Sequence, residues 1–81
     1  MSSQLEQVLE RARRRRSLPA PRERRRIREQ AEVTQAEVAS LLDVTRNAVA
    51  RWEAGTRTPR PDHREKYAEL LARFAMETNG G

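Results

Sequence analysis

The stretch Thr34–Gly55, TQAEVASLLDVTRNAVARWEAG, decides the fold of this chain. Its apolar residues Val38, Ala39, Leu42, Val44, Val49 and Trp52 fall where two short helices crossing at a steep angle must pack together. The remaining positions face outward. Thr34 and Glu37 form a capping box: the hydroxyl accepts from the backbone N–H three residues on, and the carboxylate reaches back, so the first helix begins at about Gln35. Ala39 is small because the second helix crosses there, and a bulkier side chain pushes the two backbones apart. After Leu42 the chain must turn through a residue of positive φ, the usual place of glycine. Asp43 stands there instead; aspartate tolerates the left-handed region at roughly 1–2 kcal/mol against glycine. Thr45 then caps the second helix. The pattern is that of a helix-turn-helix.

Outward from that core, Ser17-Leu18-Pro19-Ala20-Pro21 breaks any preceding helix, because each proline disfavours helix in the residue before it, and Pro21 suits a first helical turn. A domain boundary is placed there. The following helix, Arg22 to Ala31, has only Ile27 and Ala31 as apolar residues, so Leu18 and Val33 are expected to add to its buried side. Upstream, Leu5, Val8, Leu9 and Ala12 recur at i, i+3, i+4 and i+7, the spacing of a short amphipathic helix that ends in Arg13, Arg14, Arg15 and Arg16. Three readings of this arm stay open: a solvated segment, a DNA-contacting arm, or a partner-binding surface.

Downstream, Thr56 to Pro61 reads as a loop held extended by its prolines. A last helix is predicted with Asp62 as cap and Glu65 completing a second box, carrying Tyr67, Leu70, Leu71 and Phe74 on the face that closes the core. Residues 78–81 are expected to fray. The segments are thus 1–17, a basic helix or arm; 18–77, the folded domain; and 78–81, a flexible tail. No alternating pattern makes a strand, so the fold class is all-α, a bundle of about four core helices plus the N-terminal amphipathic helix.

A chain of 81 residues buries only about 60% of the surface exposed on unfolding. Modest stability follows. It has no cysteine, which removes disulfides and thiolate metal sites. No apolar run reaches the length of a signal-peptide core or a membrane span, so a soluble, cytoplasmic, non-exported chain is expected. The net charge of +5 is unevenly spread: residues 1–30 hold ten arginines against four glutamates, whereas 31–81 hold seven basic and eight acidic residues. Such a basic end binds phosphate through counterion release, which gives affinity without choosing a sequence. His63 stands alone, with no second ligand or nucleophile at a useful spacing, so neither enzyme, metal nor cofactor is expected.

VTQAEVA (33–39), VTRNAVARWEAG (44–55) and TRTPR (56–60) occur here in one order and spacing, after an LPAP at 18–21. From Leu18 to Phe74 the chain resembles the lambda-repressor-like, Xre-type DNA-binding domain, above all its short actinobacterial and actinophage members. Two family glycines are replaced, by Glu32 and Asp43. The resemblance implies that the second helix of the motif, 45–54, enters the major groove with its N-terminal residues on base edges while the first crosses the backbone. Arg46, Asn47 and, one turn on, Arg51 are then the base readers. Arginine pairs with guanine O6 and N7, and asparagine with adenine N6 and N7, each for about 1–3 kcal/mol of discrimination. For Arg51 a phosphate contact, and a place in solvent or in an ion pair, stay open. Gln35, by its family position, is implied to bond a phosphate and buttress Arg46; Thr45, Arg57 and Arg60 fall to the DNA backbone. Arg28 stands where the family places an arginine that pairs with the glutamate of the WExG segment, here Glu53.

One recognition helix reads only a few base pairs, so a repressor acting as a homodimer on a palindromic operator is the leading expectation. Its interface is sought at the N-terminal helix or at the Leu70/Phe74 end of the last helix. The rival reading is an antitoxin or phage adaptor whose N-terminal helix binds a partner protein, DNA binding serving autoregulation. A sequence-tolerant architectural protein is a third.

Overall fold

Five helices follow one another without a strand among the described residues: α1 (Ser3–Ser17), α2 (Pro21–Gln30), α3 (Gln35–Leu42), α4 (Arg46–Ala54) and α5 (Pro61–Asn79). The computed structural model describes the backbone of residues 3–79 and the side chains of 3–10 and 18–78. The fold class read from the sequence is the one found.

The helix ends are set locally. Pro21 opens α2, with Ala20 in extended conformation before it and no side chain capping it. Thr34 and Glu37 make the reciprocal box at the start of α3, Glu37 N donating to Thr34 Oγ1 at 3.0 Å and Thr34 N to Glu37 Oε1 at 2.9 Å. The Thr34 N–H, and after it the Thr34 hydroxyl donating to the same Oε1 at 3.1 Å, hold the Glu37 carboxyl below its ordinary pKa. Thr45 Oγ1 accepts from Ala48 N at the start of α4.

Three of the described residues adopt left-handed backbone: Glu32 (φ 59°), Asp43 (φ 57°) and Gly55 (φ 76°). Each ends a helix or begins the turn after one. Gly55 is needed twice over, since a Cβ there would also meet Pro21 Cγ at 3.3 Å. At Asp43 the turn returns the Val44 amide to the Ala39 carbonyl at 2.9 Å, which closes α3 and aims α4.

Two ends differ from the sequence reading. α5 begins at Pro61, so Asp62 lies inside the first turn rather than capping it. The proline ring already holds a helical φ and has no N–H to satisfy, and the Arg60 carbonyl accepts the first bond, from Arg64 N at 2.7 Å. Asp62 still gains from the position: the His63 N–H, facing its carboxylate, holds the pKa below the ordinary value. At the other end α5 continues through Thr78 and Asn79, with the Thr78 hydroxyl donating to Phe74 O and Ala75 O. Gly80 and Gly81 lie outside the described residues.

The core joins α3, α4 and α5: Val38, Ala39, Leu42, Val49, Trp52, Tyr67, Ala68 and Leu71 are buried. Leu18, Ile27, Val33, Val44, Leu70 and Phe74 pack half-buried around it. Because Leu70 and Phe74 serve this core, they offer only part of their surface to anything else. Trp52 stacks at a tilt on Tyr67, with ring centroids 4.9 Å apart. α2 covers one side of this core and α1 lies against α5.

Candidate nucleic-acid interface

α4 is buried along one side by Val49, Trp52 and Glu53, which leaves Arg46, Asn47 and Arg51 exposed on the other. Asn47 and Arg51 stand four residues apart and so share a face. Thr45 is exposed at the N-terminal end of the helix, its hydroxyl occupied with the cap. Ala48 and Ala50 are half-buried. At the far end the Arg51 carbonyl accepts from Thr56 N at 3.1 Å and from the Thr56 hydroxyl at 3.4 Å, which closes the last turn.

The orientation of α4 is held by a buried polar network. Arg28 meets Glu53 in a two-pronged pair, Nε to Oε2 at 2.6 Å and Nη2 to Oε1 at 2.9 Å. The Arg28 side chain is 11% exposed and that of Glu53 3%. Arg28 Nη1 also donates to Val33 O at 2.9 Å, and Gln35 Nε2 donates to Glu53 Oε1 at 3.0 Å. One glutamate of α4 thereby ties together α2, the α2–α3 turn and the start of α3. Hydrogen bonding to Glu53 raises the Arg28 pKa against the pull of burial. For Glu53, burial alone pushes the carboxyl up, but hydrogen bonds from Arg28 and Gln35 and the Arg28 charge together leave it below its ordinary value.

Gln35 therefore has a structural partner that the sequence reading did not foresee. Its side chain and Arg46 border the same open cleft of about 590 Å³, with Arg25, Glu29 and Glu32 on the rim. Arg57 and Arg60 are exposed in the loop after α4, and with Val44, Ala48, Trp52 and His63 they enclose a small hollow of about 170 Å³. Gln35 and Arg46 thus border one of these hollows, and Arg57 and Arg60 the other. The side chains of Arg13, Arg14, Arg15 and Arg16 lie outside the described residues, although their backbone is the last turn of α1.

Residues 25–73 match the family model described as helix-turn-helix (HTH_3), the lambda-repressor and Xre-like type. The chain belongs to this family. It is accordingly a DNA-binding helix-turn-helix regulator whose partner is double-stranded DNA. No curated protein and no solved structure matches the chain. Within the helix-turn-helix frame, α3 and α4 are the two helices of the motif. No described helix is long and apolar enough to cross a membrane.

Arg24 is the functional-frame residue that sequence reasoning missed. Its Nε donates to Pro19 O at 2.7 Å and its Nη1 to Trp52 O at 3.0 Å, so it fastens the linker before α2 to the C-terminal half of α4. Burial lowers its pKa. A signal was present: Arg24, Ile27, Arg28 and Ala31 recur at i, i+3, i+4 and i+7, an inward stripe of α2 in which two positions are arginine.

Proposed function

We propose that this helix-turn-helix protein is a transcriptional repressor that binds a short palindromic operator as a homodimer, with α4 in the major groove. The observation that carries the reading is the division of α4: Val49, Trp52 and Glu53 are buried, while Arg46, Asn47 and Arg51 are exposed together. Arg46 reads guanine and Asn47 adenine in each half-site, and Arg51 reads the base one turn further along. Thr45, Arg57 and Arg60 hold the DNA backbone on either side. An amide carries two N–H donors, so the one Gln35 does not spend on Glu53 serves a phosphate. The arginines at 13–16 add sequence-independent affinity. The protein acts in the cytoplasm on the bacterial nucleoid or on phage DNA, without a cofactor and without catalysis.

Selection of bound duplexes from a random pool at about 150 mM salt tests this, run on the wild type and on the Arg46→Ala/Asn47→Ala variant. The expected result is a palindromic motif with half-sites about 10–10.5 base pairs apart that relaxes in the variant. Failure of the wild type to enrich any motif refutes sequence-specific operator binding.

A further inference from the structure

Two arginines one turn apart on α2 hold two consecutive residues of α4. Arg28 grips the Glu53 carboxylate laterally, at 2.6 and 2.9 Å, and Arg24 Nη1 donates to the Trp52 carbonyl at 3.0 Å. The last carbonyls of a helix have no partner within it, and they point along its axis. Thr56 N, four residues after Trp52, is bonded instead to Arg51 O at 3.1 Å, so Arg24 supplies the donor that α4 itself does not. A cation there also complements the negative end of the helix dipole.

Arg24 is aimed as well as placed. Its Nε donates to Pro19 O at 2.7 Å, and because a guanidinium is a planar fork this fixes the direction of Nη1. The start of α2 abuts the same end of α4, where a Cβ on Gly55 would meet Pro21 Cγ at 3.3 Å. We infer that Arg24 is a positioning residue for base selectivity: by capping α4 from α2 it fixes how far that helix stands along its axis, while Arg28 and Glu53 fix its roll. Arg24 has this role only because α4 reads bases, as proposed above.

Selectivity is more sensitive to this placement than affinity is. A slide of one residue along a helix is about 1.5 Å, and a roll of about 20° moves a side chain about 6 Å from the axis by about 2 Å. A hydrogen bond tolerates only about 0.5 Å, so either shift breaks a two-pronged contact from Arg46 or Asn47 to a base edge. Phosphate contacts of the exposed Arg57 and Arg60 carry no sequence information, and their long side chains follow the shift. Arg24 spends Nε and Nη1 on carbonyls of its own domain, so its removal subtracts no phosphate contact.

Fluorescence anisotropy of the full chain tests this on two duplexes of equal length, the one that the wild type selects and a scrambled one, from about 50 to about 200 mM salt. Each variant is measured where circular dichroism shows it fully folded. Arg24→Met lowers the ratio of selected to scrambled affinity about tenfold, the worth of roughly one base contact, and leaves scrambled affinity within about twofold and the salt slope unchanged. Arg24→Lys, the second variant, keeps the cation but replaces the fork by a point donor, and lowers the ratio about threefold. Without DNA, the amides of Gly55 and Thr56, both bonded to Arg51 O, exchange about tenfold faster in Arg24→Met, while that of Val38 at the start of α3 keeps its rate.

A wild-type ratio in either folded variant overturns the inference. So does an equal loss on both duplexes with a salt slope shallower by about 0.9, which makes Arg24 a phosphate contact. Exchange that is unchanged at Gly55 and Thr56, or that quickens equally at Val38, shows that Arg24 does not cap α4 and overturns it too. A wild type that selects no motif refutes the operator reading and the selectivity together, whereas a selected motif with an unaltered ratio in Arg24→Met refutes this inference alone.

Discussion

Replacing Glu53 by alanine removes the carboxylate around which Arg28, Gln35 and the α2–α3 turn are arranged. Arg28 is then left almost fully buried with two of its N–H donors unpaired, at the positions now 2.6 and 2.9 Å from Glu53. Breaking a buried pair in this way costs about 3–5 kcal/mol, because the surviving charge keeps its desolvation penalty and loses its compensation. A chain of 81 residues has a total stability of only about 4–12 kcal/mol. Glu53→Ala thus loses a large share of it, and its melting temperature falls by at least about 12 °C at about 4 °C per kcal/mol. Urea unfolding followed by far-ultraviolet circular dichroism measures the loss, and the cycle of Arg28→Met, Glu53→Leu and Arg28→Met/Glu53→Leu isolates the coupling. The apolar double variant recovers most of the deficit of either single change, since no charge is stranded. A loss below about 1 kcal/mol in Glu53→Ala, or strict additivity in the cycle, refutes the claim that this pair holds α4 in place.

Four further outcomes follow from the same geometry. The Glu53 carboxyl is held below its ordinary pKa, so its contribution is present above the unfolded value of about 4.3 and is lost as pH falls through the lower folded value. The stability of the wild type therefore drops on acidification below about pH 4.3, and Glu53→Gln flattens that drop, which unfolding at a series of pH values reads. Burial, then the Glu53 charge, push the Tyr67 phenol up to about 12, and its hydroxyl has no hydrogen-bond partner among the described residues. Tyr67→Phe is accordingly neutral or stabilising by up to about 1 kcal/mol in thermal unfolding; a larger loss contradicts that picture. Glu32 holds a φ of 59° that only glycine adopts without penalty, so Glu32→Gly raises stability by about 1 kcal/mol in the same assay unless added freedom of the unfolded chain cancels it. Ala39→Leu, at the crossing of α3 and α4, costs about 1–3 kcal/mol or prevents folding, and a variant as stable as the wild type shows that the crossing is not tight.

What the chain declares locally, the residues state plainly. Thr34 with Glu37, Asp43, Thr45 and Gly55 each act on backbone groups within about five residues, so caps, turns and the order of helices α2 to α4 are legible from neighbours alone. The same holds for the exposed row of α4, which follows from helical period once Val49 and Trp52 are assigned inward. α5 starts two residues before the place an Asp62 cap implies, because Pro61, with its fixed φ and no N–H, takes the first helical position.

The arginines are a different matter. Five of them stand between Arg22 and Arg28, alike in composition and charge, yet Arg28 is buried on Glu53 across 25 residues and Arg24 reaches Trp52 O across 28, while Arg25 and Arg26 stay on the surface with Glu29 and Glu23. The helical period sets Arg24 and Arg28 on one stripe with Ile27 and Ala31, but nothing within a turn of either names its distant acceptor. Family resemblance pointed to Arg28 and Glu53; the clamp of Arg24 and the bond from Gln35 to Glu53 came only from the packed structure. The sequence by itself determined where the helices start, turn and face, because hydrogen-bond rings and φ preferences are short-ranged. Which cations leave water, and for which acceptors, was decided by tertiary packing, since the desolvation of a charge depends on everything that closes over it.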